Sequence, residues 1–182
     1  MKIFFDTEFT GLHKDTTLIS IGCVAENGST FYAELTDYNT SQCDDWINEN
    51  VIKHLRLTVP FNSLGNNSLE VKGPKTYVRT LFTSWLSTFE DIQFVSDVCH
   101  YDMVLLIDLY GNAFNFSEQV NACPACHDIN QDIARMLGYS DAKAFDVSRE
   151  ELVNGEIEGD KHNALYDAQV IKRIYENIVD PK

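Results

Sequence analysis

Basic residues are scarce in this chain: 14 lysines and arginines stand against 28 aspartates and glutamates, a formal net charge of −14 over 182 residues. Proteins that grip long nucleic acid present basic surfaces and gain affinity by releasing counterions. The deficit argues against extended duplex binding and leaves room for a short contact with one strand end, helped by bound metal. Long uncharged apolar runs are missing too, and no apolar segment follows a basic start. Neither a membrane span nor a signal peptide is therefore expected, and the default location is cytoplasmic. Paired cysteines are lacking as well. Cys23, Cys43, Cys99, Cys123 and Cys126 are odd in number and, without an export signal, read as reduced thiols rather than a disulfide framework. There is no internal repeat and no low-complexity tail.

Two of those cysteines form CPACH, Cys123 to His127, the Cys-x-x-Cys-His pattern of covalent haem attachment and also half of a zinc site. Haem attachment of that kind belongs to exported proteins, so no haem is expected. Zinc is not expected either, since no second Cys-x-x-Cys pair completes a tetrahedron and His127 would need a distant Cys99 or Cys43.

The 44% hydrophobic content suffices for one domain spanning residues 1–182. MKIFFDTEF alternates as a strand, and TTLISIGCVAENGSTFYAEL holds two β-rich runs around Asn27-Gly28, a dipeptide that favours a tight hairpin turn. The first three strands read as an antiparallel meander. Residues 42–55 are compatible with a helix, and about 56–75, rich in Gly, Asn, Ser and Pro, reads as a flexible loop. Helical spacing returns in TYVRTLFTSWLSTF. A short buried strand, IQFVSD, and a helix in YDMVLLIDLYG ended by Gly111 follow, and DINQDIARMLGY and HNALYDAQVIKRIYENIV supply the last helices. This order predicts an α/β fold with a central mixed β-sheet, antiparallel over its first three strands, flanked by helices. Lys72, Lys75 and Arg79, in KGPKTYVR, read as a charged helix start with reach to one or two phosphates.

Several acids sit where apolar residues belong. Asp6 and Glu8 project from one face of the first strand. At about 4 Å and an effective dielectric near 20, two like charges repel by about 4 kcal/mol, so something must offset them. In the last helix Asp167 shares a stripe with Ile171, Ile174 and Ile178, and Asp102 leads Leu105, Leu106 and Leu109 in the same way. A buried carboxylate must be hydrogen-bonded, paired or metal-ligated. If both helices pack on the first strand, the four acids form a hard-oxygen cage suited to Mg²⁺ or Mn²⁺. His162, five residues before Asp167, could take a proton from water at neutral pH. Asn163 could cap the helix that follows.

With Asp6, Glu8, Asp102, His162 and Asp167 in this order, the chain resembles the DnaQ-like 3'-to-5' exonucleases of the DEDDh type, on the ribonuclease H-like fold. DTEFTGL is similar to the family's Asp-x-Glu-x-Thr-Gly-Leu, and HNALYD fits His-x-Ala-x-x-Asp. The run LISIGCVAENGSTFYAEL looks most like the small stand-alone bacterial and phage exoribonucleases of that group. The resemblance implies two divalent ions, Mg²⁺ or Mn²⁺, held by the four acids, with His162 as general base. It implies hydrolysis of single-stranded RNA, or DNA, from the 3' end to nucleoside 5'-monophosphates. Backbone near Thr10 and Gly11 would then hold the terminal ribose hydroxyl, and Phe9 or Leu12 would wedge against the terminal base. Tyr101 is a further stacking candidate, and Asn163 joins the substrate-binding set. Relatives are often homodimers.

Two other functions fit the same residues. An oligonucleotide or dinucleotide phosphodiesterase would suit the negative charge, and a catalytically silent module of this fold could bind a nucleic-acid end or a protein.

Overall fold

The first strand, β1 (Lys2–Phe9), alternates between two apolar environments and so fixes the centre of the sheet. Ile3 and Phe5 enter one buried cluster and Phe4 enters another, leaving Asp6 and Glu8 on the Phe4 face by the period of two. The computed structural model describes residues 1–153 and 155–181. It contains a seven-stranded mixed sheet flanked by helices, an α/β architecture compatible with a ribonuclease H-like nuclease fold.

β2 (Leu18–Ala25) and β3 (Thr30–Leu35) continue from β1 as the expected antiparallel meander. The turn between them holds Gly28 at φ +89°, and the Gly28 N–H donates to the Ala25 carbonyl at 2.9 Å. β4 (Phe61–Gly65) and β5 (Ser68–Gly73) extend this edge, while β6 (Gln93–Ser96) and β7 (Cys126–Asp128) run parallel to β1 on the other side. The sheet order is β4-β5-β3-β2-β1-β6-β7.

Within residues 56–75, expected to be a flexible loop, 61–73 instead form the hairpin of β4 and β5. The Asn- and Gly-rich composition belongs to its tip, where Asn66 and Asn67 adopt left-handed φ of 46° and 57°. β5 is held in place by parallel pairing with β3 and by burial of Val71. The helix expected over 42–55 is broken: single turns at Thr40–Gln42 and Ile52–His54 bracket α1 (Asp45–Asn50). Asp44 starts α1 afresh by accepting the Ile47 N–H at 2.9 Å.

On the Phe5 face lie α2 (Lys75–Leu86), α3 (His100–Leu109) and α4 (Ala113–Val120), around Phe31, Phe82, Trp85, Leu106 and Phe116. On the Phe4 face lie α5 (Ile129–Leu137), α6 (Asp141–Asp146), the short α7 (Arg149–Leu152) and α8 (Ala164–Ile174), with Ile133, Val170, Ile171 and Ile174 buried among them. No helix among the described residues is long and apolar enough to cross a membrane.

The lysines of KGPKTYVR are engaged within the protein. The Lys72 ammonium donates to the fully buried Glu34 carboxylate at 3.0 Å and to the Leu57 carbonyl at 2.7 Å, and Lys75 pairs with Asp108. Glu34 also accepts the N–H groups of Arg56 (2.5 Å) and Leu57 (2.9 Å), which ties the segment after α1 to the sheet. Its burial is matched by partners on every side, as a buried charge requires.

α8 approaches the sheet at Gly22, the register partner of Asp6. A Cβ there would lie 2.1 Å from the Ala164 carbonyl, so only glycine lets the first turn of α8 seat beside Asp6. Gly22→Ala is expected to cost about 2–3 kcal/mol by overpacking, which at this size lowers the melting temperature by about 5–10 °C. A thermal unfolding curve checks it, and an unchanged midpoint contradicts the packing described.

Candidate active site

The site forms where two parallel strands part. β1 and β6 pair only as far as Phe4 and Val95, while β1 runs on to Phe9. After β6 the chain turns at Val98, at φ +51°, into α3. A crevice at the carboxyl ends of diverging strands is where open α/β sheets hold ligands. Here it is a cleft of about 290 Å³ whose walls include Asp6, Glu8, Asp102, His162 and Asp167.

Each acid is positioned by a different element. Asp6 and Glu8 follow from the strand period. Asp102, in the first turn of α3, is 6% exposed. One of its oxygens accepts the Thr7 N–H at 3.1 Å and the Thr7 hydroxyl, and the other accepts the Ser96 hydroxyl at 3.3 Å. Asp167, in the first turn of α8, accepts the His162 N–H at 2.9 Å. The two helices pack on opposite faces of β1, so Asp102 and Asp167 approach the strand end from opposite sides. His162 sits at φ +65° with its ring edge-on to Trp46, centroids 5.2 Å apart. Ligating atoms of Glu8, His162 and Asp167 all lie within 4.8 Å of one another.

The electrostatics are severe. Among the described residues none of these four acids forms an ion pair with a lysine or arginine. Burial holds the Asp6 carboxyl well above the usual range, and Asp102, Asp167, Glu8 and Asp97 push it further. Glu8 is raised to about 8 by burial and then by Asp167 and Asp102. Burial raises Asp102 to about 7 against the opposing bond from the Thr7 hydroxyl, and Asp167 to about 7 against the bond from the His162 N–H. His162 moves the other way, below 6.5, through burial and the nearby Lys161 and His54. Beside Glu8 in register is Ser20, whose hydroxyl is the buried side-chain atom without a hydrogen-bond partner among the described residues. Carboxylate oxygens gathered in one cleft without an ion-paired lysine or arginine among the described residues suit a hard divalent ion, so the residues fit such an ion.

The residues named from sequence on the substrate side divide into two groups. Phe9 stacks on Tyr101, centroids 5.3 Å apart, and both line the cleft with Leu12, which is 79% exposed. Gly11 lines an adjoining apolar cavity of about 360 Å³ with Phe9, Leu12, Trp46 and Ile47. Thr10 is 2% exposed, its N–H donates to the Thr17 carbonyl (3.0 Å), and its hydroxyl donates to Gln42 (2.6 Å). Asn163 caps α8 through the N–H groups of Leu165 and Tyr166, and its amide donates to the Tyr32 hydroxyl and the His54 carbonyl. The Thr10 N–H and hydroxyl and the Asn163 side-chain amide are thus engaged within the protein. CPACH lies outside the cleft lining, at β7, where His127 meets the Asp132 carboxylate and Cys126 neighbours Cys99 at the start of α3.

Residues 1–179 match the family model of the 3'-5' exoribonuclease Rv2179c-like domain. The chain belongs to that family. Two curated Mycobacterium tuberculosis proteins are also similar, the 3'-5' exoribonuclease Rv2179c of strain H37Rv and the 3'-5' exoribonuclease MT2234.1 of strain CDC 1551. Each is 29% identical over 112 residues, which are 61% of this chain and 62% of the relative. The match therefore spans less than two thirds of those proteins' length.

In this Rv2179c-like chain the cleft also holds residues that sequence reasoning missed: Asp97, Arg149 and Lys161 line it, and Trp46 flanks it. Lys161 had a signal, adjacency to His162. Arg149 had none, because only the folding of α6 and α7 over the sheet brings it to Asp97, with which it pairs.

The raised carboxylates set the pH dependence of the metal-free protein. Glu8, ordinarily near 4.5 and about 8 when folded, binds more protons in the folded state between those values, so stability falls as pH rises through that window. In chelator the melting temperature is expected to drop from pH 5 to pH 8, and millimolar Mn²⁺ at pH 8 to restore it by binding the folded acids. Glu8→Gln should flatten the chelator profile. A profile flat in the parent protein, with no response to Mg²⁺ or Mn²⁺, contradicts the cage.

Proposed function

We propose that this protein is a metal-dependent 3'-to-5' exonuclease that shortens single-stranded RNA from its 3' end and releases nucleoside 5'-monophosphates. The observation that carries this is the presence of four carboxylates and one histidine in a single cleft, in a chain matching an exoribonuclease family over almost its whole length. That constellation is also what supports placing it with the DnaQ-like DEDDh enzymes.

Asp6, Glu8, Asp102 and Asp167 would hold two divalent ions, Mg²⁺ or Mn²⁺. When bound, such ions offset charge on a scissile phosphate and make water a better nucleophile. The chain's own residues do the rest. Asp102 is immobilised by Thr7 and Ser96, so it contributes a fixed oxygen at the end of β1. His162 has its proton affinity lowered, which keeps the imidazole neutral near pH 7 and able to accept a proton from the attacking water. The bond from its backbone N–H to Asp167 fixes the loop that carries the imidazole against the acids. Phe9, Leu12 and Trp46, around the apolar cavity beside Glu8, offer faces for the terminal base, and stacking of this kind tolerates any base. The preference for RNA follows the family and the curated relatives.

The charge of −14 favours a second reading, the same chemistry confined to di- or short oligonucleotides, because long strands would be repelled.

Digestion of a 5'-labelled single-stranded RNA with Mn²⁺ tests both. A ladder shortening from the 3' end is expected, abolished by chelator, with Asp6→Asn and His162→Ala each slower by about 10²–10⁴-fold. Cleavage of a dinucleotide but not of the longer strand selects the second reading. No metal-dependent cleavage of either contradicts an enzyme and leaves a binding module.

A further inference from the structure

Arg149 and Lys161 bring the arginine and lysine side chains to the cleft wall, and they differ in how committed they are. The Arg149 guanidinium pairs with Asp97, contacts Asn130, and donates to the carbonyls of Ala144 (2.9 Å) and Val147 (3.0 Å). It is 14% exposed and has a structural task, holding the chain between α6 and α7 onto the end of β6. Lys161 is loosely held. Its Nζ lies 3.6 Å from a Glu150 oxygen, and the two side chains are 57% and 37% exposed. Glu150 has a better partner of its own, the Ser148 hydroxyl, which donates to it at 2.6 Å.

An exposed pair at that separation is worth little, about 0–1 kcal/mol, so Lys161 can exchange it at small cost. The exchange has a reason. If bound ions balance the four acids, thereby also releasing Lys161 from its pull on Asp167, and Arg149 balances Asp97, Lys161 is the cation among the described cleft residues left to meet the negative charge of an entering strand. The left-handed turn at His162 places this ammonium on the same wall as the imidazole.

We propose that Lys161 binds a backbone phosphate of the single-stranded substrate in this cleft, and that Glu150 is its resting partner, displaced when the phosphate arrives. The proposal rests on the exonuclease function stated above. Glu150 then acts as a built-in competitor that weakens substrate binding, and its removal strengthens binding through Lys161.

The test combines steady-state digestion of a single-stranded oligoribonucleotide with its fluorescence anisotropy on the non-cleaving Asp6→Asn background. Lys161→Ala should raise KM and Kd about five- to tenfold with kcat changed less than about twofold, and reduce the salt slope of binding by about 0.7, one phosphate contact on a single strand. Lys161→Arg should restore most of the loss. Glu150→Gln should tighten binding about two- to threefold, and this gain should vanish in the Lys161→Ala background, as coupling through one contact requires. If Lys161→Ala leaves KM and the salt slope unchanged while the parent still digests RNA, the proposal is overturned and the exonuclease stands. If Glu150→Gln tightens binding equally in both backgrounds, its effect is general charge and the competitor role is overturned. If the parent neither digests nor binds RNA, the exonuclease reading fails and the proposal with it.

Discussion

Mutual repulsion among Asp6, Glu8, Asp102 and Asp167 is the constraint on which the architecture turns. Each contact of about 4 Å between like charges costs about 4 kcal/mol at an effective dielectric near 20, and folding drives all four toward one strand end. Among the described residues no arginine or lysine forms an ion pair with these acids, and the charge of Lys161 relieves Asp167 only in part. The fold fixes the acids instead: Thr7 and Ser96 anchor Asp102, the His162 N–H anchors Asp167, and the glycine at position 22 lets α8 come close enough to bring Asp167 beside Asp6. The burial that gives these elements their stability is also what raises the carboxyl pKa values. A site assembled against its own electrostatics in this way fits the divalent ion that the proposed function requires.

Much of this was legible in the sequence, for identifiable reasons. The strand period placed Asp6 and Glu8 on one face, and the helical stripes of Asp102 and Asp167 were visible because an acid among leucines or isoleucines breaks a strong pattern. The β1–β3 meander was equally plain from Asn27-Gly28. The hairpin of β4 and β5 was not, because the Asn-Asn tip and neighbouring polar residues outweighed a short alternation that is stabilised only by pairing with β3. β7, three residues long, lies below any periodic signal. Asp97 and Arg149 come together only across the fold, separated by 52 residues. At Thr10 the motif pointed to nearby backbone as a hold for a ribose hydroxyl, and in the fold its N–H donates to the Thr17 carbonyl while its side-chain hydroxyl donates to Gln42.

The acidity of the whole chain and the geometry of the cleft bear on one another. In the proposed exonuclease, a net charge of −14 would repel a long polyanion, so affinity would be concentrated at the strand end, in bound ions, aromatic faces and few cations. The apolar cavity between Phe9, Leu12 and Trp46 adjoins the cleft directly, which under the proposed function would let a terminal base and its phosphate be held by neighbouring surfaces of different character.

The most direct test of the central claim is calorimetric titration of the protein with Mn²⁺ near pH 7 in buffers of different ionisation enthalpy. Carboxyls raised to about 7 and about 8 are partly protonated there, so about two ions should bind per chain with release of protons to the buffer. Absence of binding at millimolar Mn²⁺, or binding without proton release, would contradict a cage of four mutually repelling acids.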